Sequence, residues 1–232
     1  GYIDAARDLE NRLIYWFYPD VFNHPVSERE ILNEIAQSYL FKDILSYADI
    51  RKPEILEKIL QALAFQVGNE VSYNEIAQLT GVDKNTVSHY IHLLELSYII
   101  YPLTSFSRNL RNEIKTNRKI YFYDNGIRNA LIQNFNPLEL RNDTGALWEN
   151  FLMSERLKRN HYHQKYSNKY FWRTKQQQEI DYVEESDGKI AGFEFKWNPK
   201  AKTNIPSLFV KTYNADVQVI TRENFREFVG FF

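Results

Sequence analysis

The carboxylates of a predicted β-hairpin are the residues of this chain that are best spaced for chemistry. Two strands in the last third of the sequence are joined by an Asp-Gly turn, which is typical of a two-residue hairpin loop. Such a loop places Asp181 opposite Glu194 and Glu179 opposite Lys196. Like carboxylates facing each other, with Cβ atoms ~5 Å apart, destabilise a sheet unless a cation lies between them. The hairpin predicts either a divalent-cation site at Asp181 and Glu194 or, as the alternative, a Glu179–Lys196 pair with both other acids facing water.

The other face of this hairpin is apolar. Alternation with a period of two separates the charged residues from a set of aromatic and aliphatic ones. Burial of that face fixes the register of the hairpin, because a slip of one residue would turn every side chain over. The predicted core residues are Ile180, Tyr182, Ala191, Phe193, Phe195 and Trp197.

Length, composition and net charge limit the classes of protein to which this chain can belong. The chain has 232 residues, enough for one large or two ordinary domains, and its 44% hydrophobic and 16% aromatic content excludes wholesale disorder. A net charge of -1 gives no overall attraction for nucleic acid, so such affinity requires a local basic patch. The absence of cysteine excludes disulfides and thiolate zinc sites. No apolar run approaches the ~20 residues that span a bilayer, and we expect a cytoplasmic protein without membrane association.

The first part of the chain, residues 1–52, is predicted to be a helical lead-in. Apolar residues recur at helical spacing over residues 5–17 and 28–47, and Ser27 with Glu30 forms a capping box. The first residue is Gly1 rather than Met, and the opening residues resemble the middle of a helix. We therefore expect a fragment whose lead-in packs on an upstream domain.

A helix-turn-helix is predicted within residues 53–125. Pro53 begins a first helix, Ser72 caps a short second one, and Asp83 caps a third after a turn that contains Gly81. Two β-rich runs follow, at residues 98–101 and 119–123, and the loop between them is long and basic. This order predicts a winged helix with a long wing.

The predicted winged helix offers donors for double-stranded DNA. Polar residues of the third helix could reach a groove, and cations on the wing could neutralise phosphates. The alternative is a protein-docking module, since winged helices also serve that purpose. The candidate DNA contacts are Lys84, Thr86 and His89 on the helix, and Arg108, Arg111, Lys115 and Arg118 on the wing.

The end of the chain has a distinct order of elements. A connector, residues 126–145, in which a short helix at residues 127–133 is followed by a polar stretch, precedes a part at residues 146–232 that is predicted as helix, three strands, helix and strand. Glu149 lies at the border of the apolar stripe of the first helix, so its side chain could point toward the sheet.

This last part resembles the PD-(D/E)xK restriction-endonuclease-like core. An acid on the first helix, Asp181 on the second strand and Glu194-Phe195-Lys196 on the third carry the resemblance, although Ile180 stands where that motif has proline. The resemblance implies a mixed α/β chain: an N-terminal helical segment and winged helix-turn-helix, then an αβββαβ core. It also implies catalytic roles for Glu149, Asp181, Glu194 and Lys196, with Mg²⁺ or Mn²⁺ held by Asp181 and Glu194.

The chain as a whole resembles the uncharacterised C-terminal module of bacterial and archaeal AAA-type ATPases. That resemblance implies an ATPase domain upstream in the natural protein, whereas the chain itself has no GxxxxGK[ST] loop and is not expected to bind ATP. Three functions follow as hypotheses: a Mg²⁺-dependent DNA endonuclease, a catalytically silent DNA-binding module, and a protein-docking module that regulates the ATPase. The oligomeric state is left open. The matching stretches are YLFKDI at residues 39–44, KIYFYDNG at 119–126, GALWEN at 145–150, EID at 179–181 and EFK at 194–196.

Overall fold

A computed structural model describes residues 2–16, 18–24, 26–39, 52–106 and 118–230. The chain divides into two compact units. Unit 1 comprises Gly1–Pro102 and Ile120–Leu147, and unit 2 comprises Leu103–Lys119 and Trp148–Phe232. The predicted wing loop, with Arg108, Arg111 and Lys115, lies outside the described residues, as does most of the YLFKDI stretch.

The chain has a mixed α/β fold. The helices are α1 (Tyr2–Tyr15), α2 (Pro19–Asn23), α3 (Glu28–Glu34, continued by the π-helical turn Ile35–Tyr39), α4 (Pro53–Phe65), α5 (Tyr73–Thr80), α6 (Lys84–Leu96), α7 (Asn125–Leu131), α8 (Thr144–Tyr162), α9 (Ser207–Tyr213) and α10 (Phe225–Val229). A short 3₁₀ helix covers Leu138–Leu140. No helix in the described part of the chain is long and apolar enough to cross a membrane.

The described strands form one mixed sheet of seven strands. Its order is β1-β3-β2-β4-β5-β6-β7. The β4–β5 and β5–β6 pairs are antiparallel, whereas β2–β4 and β6–β7 are parallel. The strands are β1 (Glu70–Val71), β2 (Ile100–Ser105), β3 (Arg118–Phe122), β4 (Asn168–Arg173), β5 (Glu179–Ser186), β6 (Lys189–Phe195) and β7 (Asp216–Ile220).

In unit 1, the predicted helix, turn and helix are confirmed, together with their caps. The Ser72 hydroxyl accepts a hydrogen bond from the Glu75 backbone N–H, and the Asp83 carboxylate accepts from the backbone N–H of Asn85. Between the two helices, Gly81 has a φ of 71°, a left-handed conformation that suits glycine at the end of a helix. Ser72, Gly81 and Asp83 therefore mark the helix boundaries in the sequence, because each makes the hydrogen bond or adopts the backbone conformation that begins or ends a helix.

Helix α7 is buried along its entire length, although it lies in the predicted connector. Its asparagine side chains donate hydrogen bonds to buried backbone carbonyls that water cannot reach. The Asn125 Nδ2 atom donates to the carbonyls of Leu13 (3.1 Å) and Leu147 (3.0 Å), and the Asn129 Nδ2 atom donates to that of Ile14 (2.8 Å). These bonds satisfy buried backbone groups, which explains why a polar segment is internal.

Two buried arginines in unit 1 share one carboxylate. Arg128 Nη1 donates to Asp143 Oδ2 at 2.5 Å, and Arg141 Nε donates to Asp143 Oδ1 at 2.8 Å. Arg128 Nε also reaches the Ala64 carbonyl at 2.7 Å. Burial by itself would raise the pKa of Asp143, but the bonds from both guanidinium groups lower it overall. This network fastens the end of α7 to the segment that precedes α8.

In unit 2, the predicted hairpin register is confirmed from the turn inward. Ser186 pairs with Lys189 and Tyr182 pairs with Phe193, as a two-residue loop at Asp187-Gly188 requires. Gly188 has a φ of 73°, so the turn uses the conformational freedom of glycine.

A β-bulge interrupts the next pairing of β5. Tyr170 pairs with Val183 and Trp172 pairs with Ile180, so two residues of β5, Asp181 and Tyr182, oppose a single residue of β4. The predicted shared face for Ile180 and Tyr182 is therefore wrong. The extra residue turns Ile180 into the core cluster that contains Trp172 and Val183. Tyr182 instead contacts an aromatic group on the other side, formed by Phe193, Phe195 and Phe228.

Gly126 generates a stability prediction. A Cβ atom there would lie 2.5 Å from the Tyr15 carbonyl oxygen and 2.9 Å from Leu32 Cδ2. We expect Gly126→Ala to lower the free energy of unfolding by about 1–3 kcal/mol, because the packed backbone cannot give way. Gly145→Ala is the control, since a Cβ there meets nothing within 4 Å. Chemical denaturation checks both variants, and equal stability of the two would contradict the close approach.

Candidate functional site

Three of the predicted site residues meet at the ends of β5 and β6. Lys196 Nζ lies 3.0 Å from Glu194 Oε2 and 4.0 Å from Asp181 Oδ2, so one ammonium group bridges the two carboxylates. Asp181 Oδ2 also accepts a hydrogen bond from the Phe195 backbone N–H at 2.8 Å. The bulge in β5 contains Asp181, and bulges commonly re-aim a side chain in this way.

A second lysine, Lys119 of β3, joins the site from a distant part of the sequence. Its Nζ atom lies 2.6 Å from Glu179 Oε1 and 3.3 Å from Glu149 Oε1. Only 4% of its side chain is exposed, and the ammonium group also lies 5.4 Å from the centre of the Phe171 ring. Lys119 therefore holds Glu149 of α8 and Glu179 of β5 close to each other.

These residues form what we call the charged cluster, which lies entirely within unit 2. Negative groups outnumber positive ones, and the side chains are buried or partly buried. When every group is ionised, the cluster carries two more negative than positive charges. The charged cluster consists of the carboxylates of Glu149, Glu179, Asp181 and Glu194 and the ammonium groups of Lys119 and Lys196.

The pKa values of the acids reflect this imbalance. Burial, followed by repulsion from Asp181, raises the pKa of Glu194 to about 7. Burial likewise raises the pKa of Asp181, although Lys119 and the Phe195 N–H act in the opposite direction. For Lys119 and Lys196, burial favours the neutral form, but the neighbouring carboxylates prevail and raise both pKa values. Both lysines thus remain charged, whereas Asp181 and Glu194 take up a proton more readily than exposed acids do.

The predicted cross-strand pairs Asp181–Glu194 and Glu179–Lys196 lie beyond Tyr182–Phe193, the last of the β5–β6 pairs, and β6 ends at Phe195. Glu179 is paired instead with Lys119. Lys119 was not predicted as a site residue, and the available signal was a lysine that directly precedes the apolar run IYF in β3. Glu149 does lie in the cluster, as its position at the border of the helix stripe predicted.

The candidate DNA-binding residues of α6 are in unit 1. Lys84 and His89 are exposed, whereas the Thr86 hydroxyl donates to Asp83 Oδ2 at 2.6 Å and so takes part in the helix cap. Arg118 is half-buried at the start of β3 and belongs to unit 2. Their DNA-binding role stays a prediction.

The donor set of the charged cluster suits a hard cation, but it provides few ligands. Within the described residues, no group of three or more His, Asp and Glu side chains is placed to hold a metal ion. The bridging position of Lys196 limits the separation of Asp181 Oδ2 and Glu194 Oε2 to at most the sum of its two contact distances. Mg²⁺ is usually bound through one or two carboxylates, with water and substrate phosphate in the other positions, and two oxygens that share one ion lie within about 4 Å of each other.

Fold and site define a mixed α/β chain that contains two helices joined by a turn with Gly81 and a cluster of acids and lysines at the ends of β5 and β6. Comparison with known families identifies it further: residues 6–138 match the family described as "Domain of unknown function (DUF8612)", and the chain belongs to that family. Residues 144–228 match a second family, "Domain of unknown function (DUF4143)", which spans most of the charged cluster.

Curated relatives of this chain are uncharacterized proteins. One from Haemophilus influenzae is 29% identical over 142 residues, which is 56% of this chain and 35% of that protein. Two from Mycobacterium bovis and Mycobacterium tuberculosis are each 30% identical over 151 residues, which is 63% of this chain and 32% of the relative. The chain thus spans about a third of the length of these relatives. No solved structure gives a significant match.

The raised pKa of Glu194 predicts a pH-dependent stability. The folded state holds a proton on Glu194 up to about pH 7, whereas the unfolded chain releases it near its ordinary value of 4.5. Because the folded state binds more protons between these values, its stability should fall as pH rises through that window. We expect Glu194→Gln to flatten this fall and to unfold at a higher temperature than the wild type at pH 8. Thermal unfolding at pH 4.5 to 8 checks this, and an unchanged slope in the variant would contradict the assignment.

Lys119 should be a stabilising counter-ion. We expect Lys119→Met to lower the free energy of unfolding by about 3–5 kcal/mol, since it leaves Glu149 and Glu179 without their shared cation. Neutralising those acids as well, with Glu149→Gln and Glu179→Gln added to Lys119→Met, should recover part of the loss. Urea denaturation measures both effects. A cost below about 0.5 kcal/mol for the single variant, as for a surface position, would show that the pairing is unimportant.

Proposed function

We propose that unit 2 is a divalent-cation-dependent phosphodiesterase core that acts on DNA. The observation that carries the proposal is the bridging of Asp181 and Glu194 by Lys196 within a cluster of four carboxylates and two ammonium groups, beside which Arg173 Nε lies 4.0 Å from Glu179 Oε2. One Mg²⁺ or Mn²⁺ would add positive charge beside Asp181 and Glu194, the two acids that share Lys196. The resemblance of the element order to the PD-(D/E)xK core agrees with this function.

Each residue of the cluster has a proposed task. Asp181 and Glu194 would hold the cation through carboxylate oxygens, which hard divalent ions prefer. When bound, that ion would polarise the phosphate and acidify a water molecule. Lys196, partly exposed beside both acids, would orient the water and offset the negative charge that develops on phosphorus oxygens.

Glu149 has a different proposed role from that of a metal ligand. Its Oε1 atom accepts from Lys119, which also holds Glu179. This arrangement supports a positioning role, in which the helix acid and the buried lysine fix the start of β5 and thereby the bulge that aims Asp181. Its contact with the buried Lys119 supports the inclusion of Glu149 in the site.

DNA affinity would come from the exposed polar face of α6 in unit 1 and from the predicted basic wing after β2, which belongs to unit 2. Lys84 and His89 are exposed on α6, and lysine ammonium groups bind phosphates with an affinity that falls as the salt concentration rises. The resemblance to C-terminal modules of AAA-type ATPases further suggests an ATPase domain in the natural protein, located upstream of this chain.

Cleavage of supercoiled plasmid and of a short duplex, in the presence of Mg²⁺ or Mn²⁺, tests the proposal. We expect cation-dependent products from the wild type and a loss of at least about 100-fold in Asp181→Asn and in Lys196→Met, because each variant removes a charge that acts on the reacting phosphate. EDTA should abolish cleavage.

Matched controls distinguish the site from a contaminant. Asp216→Asn and Lys211→Met make the same chemical changes at exposed positions of unit 2 and should cleave like the wild type. Equal activity of all five proteins, or activity that persists in EDTA, would contradict the proposal.

The internal pairing of the cluster favours a second candidate function, a catalytically silent module that docks DNA or a protein and regulates or targets an ATPase. Lys196 already contacts both carboxylates that a metal site would use, and Lys119 pairs with Glu149 and Glu179, so these acids have cationic partners without a metal ion. The same cleavage assay separates the two functions, because a silent module gives no cation-dependent product.

A further inference from the structure

A basic segment with exposed aromatic rings joins α8 to β4, outside the charged cluster. Residues 156–178 contain seven lysines and arginines and no aspartate or glutamate, in a chain whose net charge is -1. Part of this charge is compensated locally, since Arg156 pairs with Glu184 and Lys158 pairs with Glu155. The exposed remainder at the end of α8 is what we call the α8–β4 surface, formed by His161, Tyr162, His163, Lys165 and Tyr166.

Two tyrosines dominate the α8–β4 surface. The side chains of Tyr162 and Tyr166 are 83% and 86% exposed, the highest fractions among the exposed tyrosines of the described residues. Two exposed aromatic rings beside the Lys165 ammonium group form a surface suited to a partner that has both flat rings and negative charge. Tyr162 also contacts the His163 ring edge-on, with 5.4 Å between ring centres.

The backbone around these rings is fixed by hydrogen bonds. The N–H groups of His163 and Lys165 donate to the carbonyls of Arg159 (3.0 Å) and Asn160 (2.8 Å), and Gln164 has a left-handed φ of 52° that ends the helix. The Tyr166 carbonyl then accepts from the Ser186 hydroxyl at 3.4 Å. The surface is therefore a defined cap and turn, which presents its rings with little conformational cost.

The α8–β4 surface is separate from the charged cluster. It adjoins the end of β4 at which Asn168 pairs with Glu185, whereas Glu179 of the cluster pairs with Arg173 at the other end. The six residues of β4 place these ends about 17 Å apart. Glu185 and Asp187 of the neighbouring hairpin are the acids beside this surface, and Glu185 accepts from the Asn168 side chain.

We propose that the α8–β4 surface binds single-stranded nucleic acid, with Tyr162 and Tyr166 stacking on unpaired bases and Lys165 contacting the phosphate backbone. Surfaces that bind single strands combine positive charge with exposed aromatic rings, whereas the bases of a duplex are already stacked. The segment at residues 161–168 has no aliphatic side chain, unlike the apolar centre of a typical protein interface. The binding does not depend on the phosphodiesterase proposal.

Fluorescence anisotropy with a labelled oligothymidylate tests this surface. A length of about 15 nucleotides covers single-strand sites of this class, and EDTA keeps the assay independent of cleavage. We expect Tyr162→Ala/Tyr166→Ala to weaken binding about tenfold or more and to leave duplex affinity unchanged. Tyr162→Phe/Tyr166→Phe keeps the rings and should bind within about twofold of the wild type.

Charge gives a second, independent comparison. Lys165→Gln should weaken single-strand binding about two- to threefold and make it less sensitive to salt, while Lys202→Gln, at another exposed site of unit 2, should not. Both tyrosines are exposed, so the variants should melt like the wild type.

Three results would overturn the proposal: no binding by the wild type, Ala variants that bind like the wild type, or equal losses for single strand and duplex. An α8–β4 surface that captures a protein partner would give the first of these results. A chain that cleaves DNA but does not bind the oligothymidylate in EDTA would refute this surface alone, and binding without cleavage would refute only the phosphodiesterase core.

Discussion

The nearly buried ammonium group of Lys119 is the interaction on which the charged cluster depends. It joins the acid of α8 to the first acid of β5 and lies against the Phe171 ring. Without it, Glu149 would lose this ammonium contact and Glu179 would keep Arg173 at 4.0 Å, so repulsion among the four carboxylates would favour protonation or rearrangement. Lys119 thus allows Asp181 and Glu194 to stay close together while the cluster keeps a net negative charge.

A β-bulge in β5 sets the direction of the Asp181 side chain within the charged cluster. A regular β5 would continue the hairpin pairing, with Asp181 opposite Glu194 and Ile180 on the same face as Tyr182. The extra residue instead lets Ile180 fill the core beside Val183, while Asp181 reaches the Phe195 N–H. Bulges next to acids are a common way to aim a side chain at a ligand. The geometry therefore gives a physical reason for the two acids and Lys196 to converge.

Local signals predicted part of this structure and could not predict the rest. The hairpin register follows from its Asp-Gly turn, and the caps of α5 and α6 follow from Ser72 and Asp83, because each effect acts within a few residues. Lys119 contacts acids that are 30 or more positions away, and the bulge has no turn residue to mark it. The burial of helix α7 could not be predicted for the same reason. Its asparagines donate hydrogen bonds to carbonyls of α1, and no local pattern in the sequence reveals that contact.

Cation binding is the most direct test of the account, because it precedes any question of activity. Isothermal titration calorimetry with Mn²⁺ at pH 8 should detect binding to the wild type and to the matched control Asp216→Asn. Binding should be lost in Asp181→Asn and in Glu194→Gln, which replace the charged carboxylates proposed as ligands by neutral amides. Equal Mn²⁺ affinity in all four proteins, or none in the wild type, would contradict a cation site at Asp181 and Glu194.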